Sequence, residues 1–139
     1  MTIAALDLGT KRIGLAVSDH GETSALPLGT IERRIVRWDL EQVAARLAGR
    51  EVTRVVVGLP LNMDGSEGPA ARQARAFAAR LGTELGVAVE MFDERLTSVE
   101  AEERLARADV GRRRRKQAVD AVAAAVILEG WLAARRGGQ

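Results

Sequence analysis

The sequence has no cysteine, no tyrosine and one histidine, and only two phenylalanines and two tryptophans among 139 residues. Without cysteine there can be no disulfide and no thiolate metal centre, and a reducing cytoplasm is the expected setting. The lone His20 falls in a predicted turn, where it reads as a surface residue rather than a general base. So few aromatics argue against a stacking platform for single-stranded bases and favour duplex or junction geometry. No apolar run approaches the roughly 20 residues that a membrane span needs, so no membrane association is expected. The chain starts directly on Ile3-Ala4-Ala5-Leu6, with no basic leader and cleavage site, so no secretory signal is expected. The net charge is only +2, although the pI is 9.9 because arginine dominates the bases. Bulk charge is permissive and no more.

What is present is a regular alternation of short apolar runs and turns. A chain of this length is expected to form one domain, residues 1–139. Ile3–Leu8, Ile13–Val17 and Leu26–Ile31 read as three strands, separated by Gly9-Thr10-Lys11-Arg12 and Asp19-His20-Gly21-Glu22. Trp38, Leu40, Val43, Ala44 and Leu47 recur at helical spacing before Gly49. Val55-Val56-Val57 reads as a buried parallel strand ended by Gly58 and Pro60. A polar loop, Leu61–Gly68, precedes an Ala/Arg-rich helix from Pro69 to Leu85. Gly86 breaks it, and Val87–Phe92 alternates as a strand. Helical periodicity returns over Ser98–Arg107, an exposed basic loop follows, and a last helix spans about Lys116 to Ala134. The order β-β-β-α-β-α-β-α predicts an α/β fold with a mixed five-stranded sheet flanked by helices.

The carboxylates fall at telling places. Asp7 ends an apolar strand, Asp93 and Glu94 end another, and Asp120 stands in the first turns of the last helix. In a regular helix Asp120 would share a face with Ala124, Ile127, Leu128 and Trp131, and so point toward the sheet. A half-buried carboxylate is costly without a cation. Ligands of open α/β sheets collect at the carboxyl ends of the strands, and acids converging there make an oxygen site suited to Mg²⁺ or Mn²⁺. Each acid also has a plain structural reading: Asp7 could begin a turn, Asp120 could complement a helix N-terminus, and Arg95 could pair Asp93 and Glu94. The run Arg112-Arg113-Arg114-Arg115-Lys116 is equally a backbone grip or a solvated linker.

Four stretches carry a resemblance. Leu6-Asp7-Leu8-Gly9-Thr10-Lys11-Arg12-Ile13-Gly14-Leu15-Ala16-Val17-Ser18-Asp19 resembles the opening motif of the YqgF/RuvX family of pre-16S rRNA nucleases and Holliday junction resolvase-like proteins. Val57-Gly58-Leu59-Pro60-Leu61-Asn62-Met63-Asp64-Gly65-Ser66, Asp93-Glu94-Arg95-Leu96-Thr97-Ser98 and Asp120-Ala121-Val122-Ala123-Ala124 are similar to its second, third and fourth. They occur in the family's order and span nearly the whole chain.

The resemblance implies an RNase H-like fold and a metal-dependent nuclease. Asp7, Glu94 and Asp120 become its catalytic, metal-binding acids, with Asp93 a further candidate. The implied chemistry is two-metal hydrolysis, with Asp7 between two ions about 3.5–4 Å apart. Adjacent strand residues point to opposite faces, so Asp93 and Glu94 can join one site only if the strand has ended. Substrate contacts are expected from Lys11, Arg12, Asn62, Arg95, Arg112, Arg113 and Arg114. The expected partner is nucleic acid, either structured RNA in rRNA processing or branched DNA, with monomer and homodimer both open. Two other readings compete. Asp7-Leu8-Gly9-Thr10 also resembles the phosphate-binding hairpin of actin-like ATPases, for which this length leaves no second domain. A non-catalytic RNA-binding assembly factor is the other, and the three acids together argue against it.

Overall fold

The computed structural model describes residues 1–97 and 115–137, with the helical backbone alone for 115–120 and 137. The strands are β1 (Thr2–Leu8), β2 (Arg12–Ser18), β3 (Ala25–Glu32), β4 (Val52–Leu59) and β5 (Ala88–Asp93). The helices are α1 (Val36–Leu47), α2 (Pro69–Leu85) and α3 (Arg115–Gly137), and a 3₁₀ turn, Glu94–Leu96, follows β5. The described elements thus keep the predicted order. The predicted helix Ser98–Arg107 and the basic residues Arg112, Arg113 and Arg114 lie outside the described residues.

The sheet order is β3-β2-β1-β4-β5. β1 pairs antiparallel with β2 and parallel with β4, and β4 pairs parallel with β5. Alternation along β1 explains why both faces are covered. Ala4 and Leu6 join Leu40, Val43, Phe77 and Leu81 in the core beneath α1 and α2. Ile3 and Ala5 turn the other way and pack with Val56, Phe92, Ala124, Ile127, Leu128 and Trp131. Burying such side chains contributes about 1.5–3 kcal/mol each for the larger ones. α3 lies across β1, β2 and β3. Small residues on this face, Ala5, Ala16, Ala124 and Ala125, bring helix and sheet close.

Local chemistry sets the helix ends. Pro69 opens α2 at a position where its missing N–H is no loss. Gly86 closes it in the left-handed region, at φ 67°, and its N–H donates to the Gly82 carbonyl at 2.9 Å. α1 has no side-chain cap on Ile35. Instead the buried Asp39 reaches back and accepts the Arg34 N–H at 2.8 Å. One boundary differs from the sequence reading. β4 does not stop at Gly58 but runs through it to Leu59, pairing Gly58 with Phe92. Glycine here is a strand residue with its side chain missing.

Candidate active site

Asp7 follows Ile3 and Ala5 in the β1 alternation, so it belongs to the face covered by α3. It is half-buried near the carboxyl end of the central strand. Phe92 of β5 packs on that same face, so Asp93, the next strand residue, points away from it. β5 ends at Asp93 and the chain then winds into the 3₁₀ turn. Glu94 reaches Asp7, and the two carboxyl groups are hydrogen-bonded to each other. Burial, followed by that hydrogen bond and the Asp7 and Asp93 charges, pushes Glu94 up from 4.5 to about 8.

Gly58 makes this meeting possible. A Cβ there would stand 2.8 Å from Glu94 Oε1 and 2.7 Å from Ile127 Cδ1. A side chain at this position would therefore press on the tips of Glu94 and Ile127 and force one of them to shift. Sequence reasoning missed this role, although an isolated glycine inside a strand pattern is itself a signal of close approach.

Asp93 goes elsewhere. Both of its oxygens are held by Arg95, with Nε at 3.1 Å and Nη2 at 2.7 Å, and it also accepts the Arg95 N–H at 2.9 Å. The Arg95 hydrogen bond holds Asp93 below its ordinary value. The remaining Arg95 donor, Nη1, reaches the Met63 carbonyl at 3.2 Å. Arg95 therefore ties the loop after β4 to the end of β5. Within that loop Asn62 Nδ2 donates to Ser66 Oγ at 2.9 Å, and Ser66 donates to Asp64 through N and Oγ. Of the residues expected to touch substrate, Asn62 and Arg95 are thus engaged inside the protein. Lys11 is exposed in the turn after Asp7, and Arg12 is half-buried at the start of β2. That turn is closed by the Gly9 N–H donating to the Arg12 carbonyl at 2.9 Å.

Asp120 belongs to the first turns of α3, and its side chain lies outside the described residues. The four positions expected to share its face, Ala124, Ile127, Leu128 and Trp131, are all buried against the sheet. Among the described residues no group of three potential metal ligands forms. The pair that does form fits a hard divalent cation: both donors are carboxylates, half-buried and in contact, with no sulfur or imidazole beside them. Two acids forced together keep a proton between them unless a cation replaces it.

This sheet order and helix arrangement are those of the RNase H-like nucleases. The fold superposes on the RuvC structure from Thermus thermophilus with a TM-score of 0.62, over 99% of this chain and 97% of that one, at 19% identity. Against the same organism's RuvC in complex with a Holliday junction substrate, the TM-score is 0.66, over 99% and 96%, at 18% identity. Residues 1–134 match the family described as RuvX: Holliday junction resolvase. A protein of Anaeromyxobacter sp. (strain K) named "Putative pre-16S rRNA nuclease" is 54% identical over 132 residues, 95% of this chain and 96% of its own. A relative of the same name from Myxococcus xanthus (strain DK1622) is 52% identical over 136 residues, 98% of this chain and 90% of its own. The chain belongs to the RuvX family.

Proposed function

We propose that this protein is a divalent-metal-dependent phosphodiesterase that processes the 5′ region of precursor small-subunit rRNA. The observation that carries the reading is the contact between Asp7 and Glu94 across Gly58, on the α3 face at the carboxyl end of the sheet. Asp7, Glu94 and Asp120 hold the metal in this reading, and Asp93 stands aside on Arg95. Bound Mg²⁺ or Mn²⁺ supplies an activated water and stabilises the leaving oxygen. The protein's own contribution is to fix Asp7 on β1, Glu94 in the turn after β5 and Asp120 on α3, to keep side-chain bulk away at Gly58, and to offer Lys11 to the phosphate beside the cut. Lys11 and Arg12 follow Asp7 in the turn, and cationic contacts there bind the backbone whatever its sequence.

RNA is favoured over a DNA junction because the relatives named for rRNA share 52–54% of their residues with this chain, whereas RuvC shares 18–19%. Junction cleavage keeps a place as the second reading, because the matched family is described as a Holliday junction resolvase. The deciding experiment incubates purified protein with Mg²⁺ or Mn²⁺ against a labelled precursor 5′ region and a synthetic four-way DNA junction, with Asp7→Asn beside it. RNA cleavage that vanishes in the variant supports the proposal. Symmetric nicking of the junction alone moves the protein to DNA, and no cleavage of either removes the catalytic reading.

A further inference from the structure

Three arginines stand between Glu32 and Trp38, and the structure uses each differently. Arg33 is half-buried. Its Nη1 donates to the Gly9 carbonyl at 2.9 Å, its backbone N–H to the Lys11 carbonyl at 2.8 Å, and its Nε to Asp39 at 3.4 Å. Asp39 is wholly buried. Arg37 is matched by Glu41 at 3.1 Å and Glu84 at 2.5 Å. Arg34 is exposed and has no carboxylate partner among the described residues. Its backbone is pinned by Asp39, and its guanidinium lies over the Trp38 ring, 4.8 Å from the centroid.

That difference matters chemically. A guanidinium matched by a carboxylate has lost its net charge to the surroundings. One stacked on indole keeps its full charge and its in-plane N–H donors, while much of its rotational freedom is already gone. Such a group is prepared for a phosphate. Beside it Ile35 is 70% exposed, an apolar residue that contributes nothing to the core.

We infer that the corner between β3 and α1 is a second backbone-binding element, in which Arg34 takes a phosphate of the nucleic acid cut at Asp7 and Glu94. The Asp39–Arg33 brace joins this corner to the Gly9–Arg12 turn, so Lys11 and Arg34 are held in fixed relation at one end of the sheet. The inference rests on the nuclease reading and adds to it a length of bound strand beyond the scissile bond.

The test measures anisotropy of a labelled RNA duplex of about 20 base pairs with a single-stranded 5′ extension, in the Asp7→Asn background, across about 50–200 mM salt. Arg34→Gln should weaken binding about tenfold at the low-salt end and flatten the slope of log K against log salt by about one. Its melting temperature should match the parent's. Arg50→Gln removes the same charge at the opposite end of the sheet, where Glu51 pairs with Thr2, and should change neither quantity. Arg34→Lys, which keeps charge and loses stacking, should recover the slope and only part of the affinity. An Arg34→Gln protein with the parent's slope and affinity overturns the inference, as does an equal loss in Arg50→Gln. If the parent binds no duplex and the wild type cuts no substrate, the nuclease reading falls with it; a wild type that cuts while Arg34→Gln binds normally refutes this inference alone.

Discussion

Replacing Glu94 with glutamine should stabilise the metal-free protein while abolishing its activity. The folded protein holds the Glu94 proton up to about 8, against 4.5 for an ordinary glutamate. The native state therefore binds more protons than the unfolded state between those values, and stability falls as pH rises through that window. Taken whole, such a shift would be worth about 5 kcal/mol above pH 8. Glu94 is only half-buried, and solvent screening reduces this to about 1–2 kcal/mol. Glutamine has no proton to lose and can donate its amide to Asp7. The variant and the wild type should thus melt together near pH 5, and the variant should melt higher by several degrees near pH 8.5, on the order of 2–4 °C per kcal/mol. Thermal unfolding in EDTA across that range reads the difference. Adding Mn²⁺ should then raise the wild type and leave the variant nearly unmoved. A variant that is less stable than wild type at pH 8.5, or a difference that is flat with pH, would refute the claim that two acids are forced together here.

Gly58→Ala should cost about 1–3 kcal/mol by overpacking and weaken stabilisation by Mn²⁺, because the new methyl would stand 2.8 Å from Glu94 Oε1 and 2.7 Å from Ile127 Cδ1 and displace one of them; denaturant unfolding and metal titration check both. Asp39→Ala should destabilise by about 2–4 kcal/mol, since it removes the carboxylate partner of Arg33 and leaves the Arg34 N–H without its acceptor; a urea midpoint equal to wild type would contradict the brace. Trp131→Phe removes the Nε1 hydrogen bond to Glu90, 2.6 Å long, and should cost about 1–2 kcal/mol with no change in cleavage rate.

The element order was legible because each strand and helix advertises itself within its own few residues. Pro69 and Gly86 bracket α2 with chemistry that needs no tertiary partner. The Asp93–Glu94 ambiguity was different in kind. Alternation tells which residues share a face, but not where a strand stops, and that endpoint decides which acid meets Asp7. Asn62 and Arg95 carry the residue types of substrate contacts, and both also bond within the protein, to Ser66, Asp93 and Met63. The Asp93–Arg95 pair is among the sequence readings, but the Arg95 bond to the Met63 carbonyl, 32 residues away, cannot be read from spacing. The role of Arg33 was hidden because its Gly9 partner, 24 residues away, meets it only on folding; the Arg34–Trp38 stack is local, four residues apart, but the pattern of apolar spacing does not mark it.

Asp7 stands on β1 and Glu94 just past the end of β5, strands that are not neighbours because β4 lies between them. Two inter-strand spacings separate those backbones, about 9–10 Å, and the longer glutamate together with the 3₁₀ winding closes the gap over bare Gly58. The spacing of the strands that carry them is therefore set by two ladders of backbone hydrogen bonds, and the 3₁₀ turn brings Glu94 the rest of the way. Native-state hydrogen exchange should find the amides of β1 and β4 among the slowest in the molecule. Fraying of α3 or of the loop after β4 can expose the site to solvent, but its ruler stays intact until the sheet itself comes apart.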